Sequence, residues 1–325
     1  MRPQGRHLAH GAEATHRHPA LVLCAAVLTG LCVVGLTGLA FLGHLDDLAA
    51  PYASTPSPRQ HADGAGSGAG AVAGSTASVA PGAVPASRAD DAAWLDLVRS
   101  PITGLGVPER TRCDLPAPDP TGSTPALEQR LTVLTSCLDR AWQGPVQRAG
   151  LEFSPVAVRV LDPAQTSPGQ CEQAEAVVPA AYCEADRTIY VSPAAARQDA
   201  EVPDIGDLLL VAAVTHEYGH HLQSLTGLAG AVHAYTADHP EAEPELTRRL
   251  ESMATCLGAS THGLLDGSPQ VTQGFYEHMV DAETYRPDPA HGSGATQARW
   301  ARAGYDDPGV TGRCATFSAP DELVA

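Results

Sequence analysis

The chain has 325 residues and a formal net charge of −17, from 37 acidic and 20 basic residues. All of the basic residues are arginines, because the sequence contains no lysine. Nucleic-acid binding requires a basic surface, so this balance argues against nucleic acid as a partner. The length allows one domain with a sizeable core after an extended N-terminal region.

An uncharged and mostly apolar run of 24 residues occupies positions 20–43. This run is long enough to span a bilayer as a helix. Three arginines precede it and two aspartates follow it, so the positive-inside rule predicts a cytoplasmic tail over 1–19 and places the rest of the chain outside the membrane. A cleaved signal peptide is the alternative, but its apolar region is usually shorter, so we favour an uncleaved anchor.

Residues 44–90 follow the predicted membrane helix and are rich in Ala, Gly, Ser and Pro. Such a segment cannot bury a core, so it is predicted to be a flexible linker. The remaining residues, 91–325, are expected to form an extracytoplasmic domain that contains six cysteines. An even number of cysteines in an oxidising compartment predicts three disulfides, but the residues alone do not fix the pairing.

Hydrophobic periodicity in this domain predicts an α+β fold, mostly helical with a small sheet. The predicted elements are helices over 125–147, 244–258 and 295–304, and strands over 156–161 and 188–192. Between them a long helix is expected, with Asp204 as its cap and Gly227 at its end. That helix is apolar nearly all round, which predicts that it is buried.

The long helix carries His216, Glu217, Tyr218, Gly219 and His220, which match the H-E-x-x-H pattern of zinc metallopeptidases. Positions i and i+4 share one face of a helix, so both imidazoles can bind one metal ion. Glu217 lies on the flank of that face, where it can activate a zinc-bound water. Histidines on a buried helix need partners, and a metal ion is such a partner.

A catalytic zinc ion usually takes three protein ligands and leaves one position for water. We choose Glu251 as the third ligand, because small neighbours on its helix leave room for a second helix and an ion. His221 is a poor candidate, since one residue beyond the motif turns its side chain about 100° away. The other candidates for this position are His233, His239, Glu241, Glu243 and His262.

Residues 216–223 resemble the motif block of the putative neutral zinc metallopeptidases, a bacterial membrane-anchored family. Residues 182–190 are similar to the Tyr-Cys segment of that family, and residues 291–295 with Cys314 are similar to its C-terminal block. The resemblance implies a zincin-like fold, Zn²⁺ as the cofactor and Glu251 as the third ligand. It also implies three disulfides, Cys171–Cys183, Cys256–Cys314 and Cys113–Cys137.

One departure from the family pattern concerns a position that would contact the metal ligands. Four positions after the ligand glutamate the family usually has an aspartate, whereas this chain has Thr255. A carboxylate there would orient a zinc-binding histidine, and losing such a contact typically costs 10- to 100-fold in metal affinity or activity. The departure motivates an alternative function, a catalytically weak or inactive zinc-stabilised extracellular binding domain.

The sequence therefore predicts a zinc metallopeptidase that hydrolyses a peptide or protein substrate. His216, His220 and Glu251 would hold the metal, and Glu217 would act as the general base. A domain held only by disulfides, without metal, is the remaining alternative.

Two further expectations concern the substrate. His291 is the first candidate for stabilising the oxyanion, ahead of Tyr285 and Tyr235. The strand predicted over 188–192 is expected to pair with an extended peptide as an added strand.

Overall fold

The computed structural model describes residues 88, 90–119, 122–161, 171, 179–192, 203–262, 265–268, 273–274, 278–285, 287–307 and 311–325. The predicted tail (1–19), the predicted membrane helix (20–43) and nearly all of the predicted linker (44–90) lie outside these residues. Among the residues that are described, no helix is both long enough and apolar enough to cross a membrane.

The described strands form two small sheets. Strands β1 (Thr111–Arg112) and β5 (Leu265–Asp266) pair in parallel. The larger sheet contains β2 (Ala157–Val160), β3 (Ala180–Cys183) and β4 (Thr188–Val191), in the order β2-β4-β3. Strand β4 pairs in parallel with β2 and antiparallel with β3, and all four of its residues are buried.

Because β4 is paired on both sides, it has no free edge along its length. The expectation that residues 188–192 pair with a substrate is therefore wrong. Among the strands that the structure describes, β3 forms the edge of this sheet on that side, and the sequence patterns did not predict it as a strand.

Most of the described domain is helical, so the predicted α+β class is confirmed. The α-helices are α1 (Ala92–Val98), α2 (Thr124–Arg148), α3 (Pro203–Leu225), α4 (Leu228–Asp238), α5 (Glu243–His262) and α6 (Gly294–Asp306). Single 3₁₀ turns cover Pro101–Gly104, Pro240–Ala242, Ala282–Thr284, Thr311–Cys314, Thr316–Ser318 and Asp321–Leu323.

Helix α3 is the central element, as its apolar sequence predicts. Val211, Val214 and Leu222 are fully or almost fully buried. The helix packs against β3, β4 and α2, and it also packs against α5. It begins at Pro203, so Asp204 lies inside the helix rather than capping it. Gly227 follows its end with φ +75°, a left-handed conformation that glycine adopts without strain.

Helices α3 and α5 approach each other closely at two glycines. A Cβ atom at Gly219 would lie 2.7 Å from the Cα and the carbonyl oxygen of Ala254, and one at Gly258 would lie 2.9 Å from the carbonyl of Thr215. Neither space admits a side chain. The glycines therefore allow α5 to bring its own polar residues directly opposite the motif histidines of α3.

Helix α5 is fixed in turn by the C-terminal part of the domain. Arg249 is completely buried; its guanidinium donates to the carbonyls of Thr316 and Ala319 and pairs with Asp321. A disulfide joins Cys256 of α5 to Cys314.

The structure contains all three disulfides that the family resemblance implied. Besides Cys256–Cys314, they are Cys113–Cys137 and Cys171–Cys183. The Cys113–Cys137 disulfide links the residue after β1 to α2, and the Cys171–Cys183 disulfide joins Cys171 to the last residue of β3.

Candidate metal centre

Three potential metal ligands meet where α3 crosses α5. The Nε2 atoms of His216 and His220 lie 2.9 Å and 3.0 Å from Oε2 of Glu251 and 3.2 Å from each other. All three side chains are largely buried, with between 17% and 20% of each exposed. In the described part of the chain, these residues form a group whose geometry is able to hold a metal ion.

The donor set fits zinc in chemistry and in spacing. Zinc binds imidazole nitrogen and carboxylate oxygen at about 2.0–2.2 Å, so two ligands of a tetrahedral site lie roughly 3.3–3.5 Å apart. The three observed separations of 2.9, 3.0 and 3.2 Å are slightly shorter than that. Only a small outward movement of the side chains would be needed to accept an ion.

Hydrogen bonds at the opposite ring nitrogens orient both histidines. Nδ1 of His216 lies 3.1 Å from Oγ1 of Thr255, and Nδ1 of His220 lies 2.9 Å from Oε1 of Gln223. Gln223 is itself held, because its Nε2 donates to the Leu250 carbonyl at 2.8 Å. In this arrangement Nδ1 of each ring faces a side-chain oxygen, and Nε2 of each ring faces Glu251 and is the nitrogen that would bind a metal.

Glu217 is positioned by the larger sheet. The backbone N–H of Tyr182 in β3 donates to its Oε2 at 2.8 Å. This contact occupies one carboxylate oxygen and leaves Oε1 for another partner. Glu217 lines the same cavity as the two histidines.

His291 also reaches the group, from the loop that precedes α6. Its Nε2 is 3.2 Å from Oε2 of Glu251, and its Nδ1 is 2.9 Å from Oδ2 of Asp288. The same Asp288 accepts the backbone N–H groups of Ala290 and His291, so the loop is closed on itself. The structure thus brings His291, the first candidate for stabilising the oxyanion, next to the candidate ligand Glu251.

The charges of these groups depend on one another. Burial opposes ionisation of Glu251, but the facing histidines, His220 above all, hold its pKa well below the usual range. Burial likewise opposes protonation of His220, yet the Glu251 carboxylate outweighs it and raises the pKa of His220 to about 10. Glu251 and Asp288 together overcome burial to raise the pKa of His291 to about 9. Without metal, the protonated rings of His220 and His291 therefore pair with the Glu251 carboxylate.

The group opens into a cavity of about 700 Å³ that extends along α3. Residues of β3, α3, α5 and the segment before α6 line it. Tyr285 also lines it, although its hydroxyl donates to the carbonyl of Met279. The candidate ligands thus lie in the wall of a space large enough for part of a peptide.

The other histidines and glutamates that the sequence offered as ligands lie away from the group. His239 stacks on Tyr235, whose hydroxyl donates to Asp91 at 2.6 Å. His262 is buried beside Thr215, with its Nε2 3.1 Å from the hydroxyl. His221 points to the sheet side of α3, where Nε2–H donates to the Ser154 carbonyl and Nδ1 accepts from the Tyr182 hydroxyl. His233, Glu241 and Glu243 are exposed.

Three contributions to this site had no assigned role in the sequence analysis. They are the acceptor Gln223, the carboxylate of Asp288 and the backbone N–H of Tyr182. Gln223 carried a signal, because three positions after His220 place it on nearly the same helix face. The other two act from a loop and a strand that only the tertiary fold brings near.

Two motif histidines on one helix, a glutamate on a second helix and another glutamate beside them define a zincin-type metal site. The sequence model of the family described as putative neutral zinc metallopeptidase matches residues 117–273. The match confirms the resemblance and places that range, which contains all four of these residues, in the family. It also supports a peptidase function. No curated protein and no solved structure matches the chain.

Proposed function

We propose that this protein is a zinc-dependent peptidase in which His216, His220 and Glu251 bind the metal. The observation that carries the proposal is the convergence of their three donor atoms, 2.9–3.2 Å apart, in the wall of a cavity that also contains Glu217. A chance cluster of surface groups would not place two buried imidazoles with both Nε2 atoms on one carboxylate oxygen.

A bound zinc ion would supply a Lewis acid that lowers the pKa of water and polarises a carbonyl. Glu217 takes the proton of the attacking water and passes it to the leaving amine. The Tyr182 N–H fixes Oε2 of Glu217, so that Oε1 is the oxygen available for this transfer. Thr255 and Gln223 keep the two imidazole rings in the orientation that binding needs.

His291 is proposed to stabilise the oxygen of the scissile carbonyl. Its Nδ1 donates to Asp288, which fixes the ring and favours a proton on Nε2 as well. When Glu251 is engaged by a metal, the Nε2–H of His291 is available to a substrate oxygen in the same space. Tyr285 is the next candidate, since it lines the cavity, whereas Tyr235 does not.

The substrate is proposed to extend along the edge of β3 that faces away from β4. Pro179 accepts the Ser192 N–H across the β3–β4 ladder, whereas the Tyr182 N–H points to Glu217. In an antiparallel ladder the backbone groups of alternate residues face opposite sides, so Ala180 and Tyr182 face away from β4. Both residues line the cavity, which makes this edge suitable for adding a peptide strand.

The test combines zinc quantification with cleavage of a peptide library by the full chain. Glu217→Gln should retain zinc at one equivalent and lose turnover by about 10²- to 10⁴-fold, the usual contribution of general acid–base catalysis. Glu251→Ala should lose both zinc and turnover. His233→Ala is the matched control, because His233 is exposed on α4, and it should match wild type in both measurements.

Full activity in Glu217→Gln with zinc bound would rule out this mechanism. Zinc near one equivalent in wild type, with no peptide cleaved, would instead favour the zinc-stabilised binding domain that Thr255 suggests. Wild-type protein without zinc, after expression with zinc, would exclude both functions.

We also propose that the domain acts outside the cytoplasmic membrane, held by the predicted helix over 20–43, and that it does not bind nucleic acid. The three disulfides support an oxidising compartment, since cytosolic thiols are normally kept reduced. Alkylation of intact cells with a membrane-impermeant reagent, after reduction, tests this orientation.

A further inference from the structure

His221 directly follows the metal-binding motif, yet its side chain is fully buried on the opposite, sheet side of α3. Its Nε2 lies 2.9 Å from the carbonyl oxygen of Ser154, and its Nδ1 lies 3.0 Å from the hydroxyl of Tyr182. A neutral imidazole has one donor and one acceptor nitrogen. His221 uses both of them, so it joins α3 to β3 and to the segment that precedes β2.

Tyr182 is attached to α3 at two points that are one helical turn apart. Its backbone N–H donates to Oε2 of Glu217 at 2.8 Å, and its hydroxyl bonds to His221, four residues further along the helix. Positions i and i+4 share one face of a helix, so both contacts come from the same face. Two bonds fix the orientation of Tyr182 relative to α3, whereas one bond would leave the strand free to turn about it.

The surroundings of His221 are held in place as well. The rings of Tyr182 and Tyr218 each meet its imidazole edge-on, with ring centroids 5.4 Å apart. The hydroxyl of Tyr218 donates to Asp139 of α2 at 2.9 Å. Asp139 also accepts the backbone N–H of Val156, which fixes the segment that carries the acceptor carbonyl of His221.

We propose that His221 is a positioning residue for the general base, because it holds the side chain of Tyr182 and thereby keeps the Tyr182 N–H on Glu217. This inference rests on the proposed peptidase function. The N–H occupies Oε2 of Glu217 and leaves Oε1 for proton transfer. If the strand shifted by about 1 Å, the carboxylate would lose this contact, and a misplacement of that size costs up to about 100-fold in rate.

Tyr182→Phe breaks the connection at its narrowest point, because it removes the hydroxyl and keeps the ring and the backbone. It should lower kcat by up to about 100-fold. KM should change little, since the peptide itself loses no contact. Zinc affinity, measured by chelator competition, should also stay constant, because Thr255 and Gln223 orient the metal-binding rings.

His221→Leu breaks the same contact from the other side and should give the same kinetic pattern. Residues that act through one contact have effects that do not add, so the double variant with Tyr182→Phe should be no slower than His221→Leu alone. If His221→Leu does not fold, Tyr182→Phe alone decides the kinetic test.

The position of the Tyr182 N–H can also be followed without turnover. The chain contains eight tyrosines, so selective ¹⁵N-tyrosine labelling of the zinc-loaded full chain gives a simple amide spectrum. The signal that is missing in Tyr182→Phe identifies Tyr182. A bond to a carboxylate moves an amide proton signal downfield, so Glu217→Ala should move this signal upfield, and His221→Leu should move it in the same direction.

Thr226→Val is the matched control, because Thr226 is a buried polar residue directly after α3 and its hydroxyl donates to carbonyls of the last turn. It should match wild type in kcat, in zinc affinity and in the Tyr182 signal. A general loosening of α3 would alter this control too, whereas loss of the positioning contact would not.

The outcomes separate this inference from the peptidase function. Unchanged kcat in Tyr182→Phe, or a change confined to KM, overturns the inference and leaves the peptidase function standing. A Tyr182 signal that moves in Glu217→Ala but not in His221→Leu overturns it as well. If wild type cuts no peptide, the peptidase function fails, and the amide signal then decides separately whether His221 keeps the Tyr182 N–H on Glu217.

Discussion

Thr255 lies close to the metal group and differs from the aspartate that is usual at this position in the matched family. Its hydroxyl lies 3.1 Å from Nδ1 of His216, so the position keeps a hydrogen-bond acceptor but no charge. A neutral acceptor polarises the imidazole less than a carboxylate does, which weakens the ring as a metal ligand. We therefore expect Thr255 to affect the strength of metal binding rather than to prevent it.

Replacing Thr255 should change zinc affinity in both directions. Thr255→Val removes the acceptor at nearly constant volume and should weaken zinc binding by about 10- to 100-fold. Thr255→Asp restores the charge that the family usually has there and should strengthen binding. Competition with a chromophoric chelator measures both affinities.

Thr236→Val is the control for this pair, because the Thr236 hydroxyl bonds only to carbonyls of its own helix. It should bind zinc as wild type does. Equal affinity in Thr255→Val and wild type would show that the hydroxyl does not orient His216.

At the scale of the elements, the site depends on how closely α3 and α5 cross. Gly219 and Gly258 each face backbone atoms of the other helix. A glycine inside a helix costs about 1 kcal/mol relative to alanine, so these two positions give up helix stability for close approach. That approach is what brings Glu251 within 3.0 Å of both imidazoles.

Alanine usually stabilises a helix relative to glycine, but at either of these two positions it should destabilise the protein. Gly219→Ala or Gly258→Ala is expected to lower the free energy of unfolding by about 1–3 kcal/mol, because backbone atoms must move apart. The same movement should weaken zinc binding. Urea unfolding and the chelator competition measure the two effects separately.

Gly230→Ala in α4 gives the matched comparison, because a Cβ there meets nothing within 4 Å. It should raise stability by about 0.4–1 kcal/mol without affecting zinc. Stabilisation by all three substitutions would contradict the close crossing.

At the scale of the whole molecule, buried ionisable groups outside the metal site set the response to acid. Burial lowers the pKa of His262 to about 3, so it stays neutral in the folded state while the unfolded chain takes up a proton below about pH 6.5. Burial raises the pKa of Asp139 to about 6, and the Tyr218 hydroxyl donates to it. The folded state therefore protonates Asp139 before the unfolded chain does.

These two groups should act in opposite directions between pH 6 and pH 4. The unfolded state binds the additional proton at His262, so stability falls on acidification by up to about 1.4 kcal/mol per pH unit from this group. The folded state binds the additional proton at Asp139, so that group partly offsets the loss. Burial also lowers the pKa of His221 to about 4, so this group adds to the loss that His262 causes. Urea unfolding of the zinc-free protein as a function of pH measures the total slope.

Variants at the two positions separate their contributions. His262→Gln should flatten the loss of stability towards low pH, and Asp139→Asn should steepen it. The two serve as controls for each other, and slopes that shift in the same direction would contradict this assignment.

The sequence predicted the elements that have strong apolar patterns. Helix α2 was expected over 125–147 and spans Thr124–Arg148, and the predicted strand over 156–161 contains β2. It missed α4 and β3, because α4 lacks regularly spaced leucines and β3 begins with two alanines, which have weak strand preference.

The same limit applies to the site. The spacing of His216 and His220 is local in sequence, so the motif could be recognised from the sequence alone. Glu251 was chosen from the small residues around it, but these did not exclude the other candidates, and the family resemblance then favoured the same residue. The contacts of Tyr182 and Asp288 arise only when a strand and a loop are packed against α3 and α5, so no local pattern contains them.

The disulfide between Cys256 and Cys314 has a consequence for the order of events during maturation. Glu251 lies little more than one helical turn before Cys256, so this cross-link helps to set where the third candidate ligand sits. A newly made chain, still in a reducing compartment, lacks that constraint. We therefore expect the chain to acquire its tightly held metal late, after oxidation, and to be inert as a peptidase while it is still inside the cell that makes it.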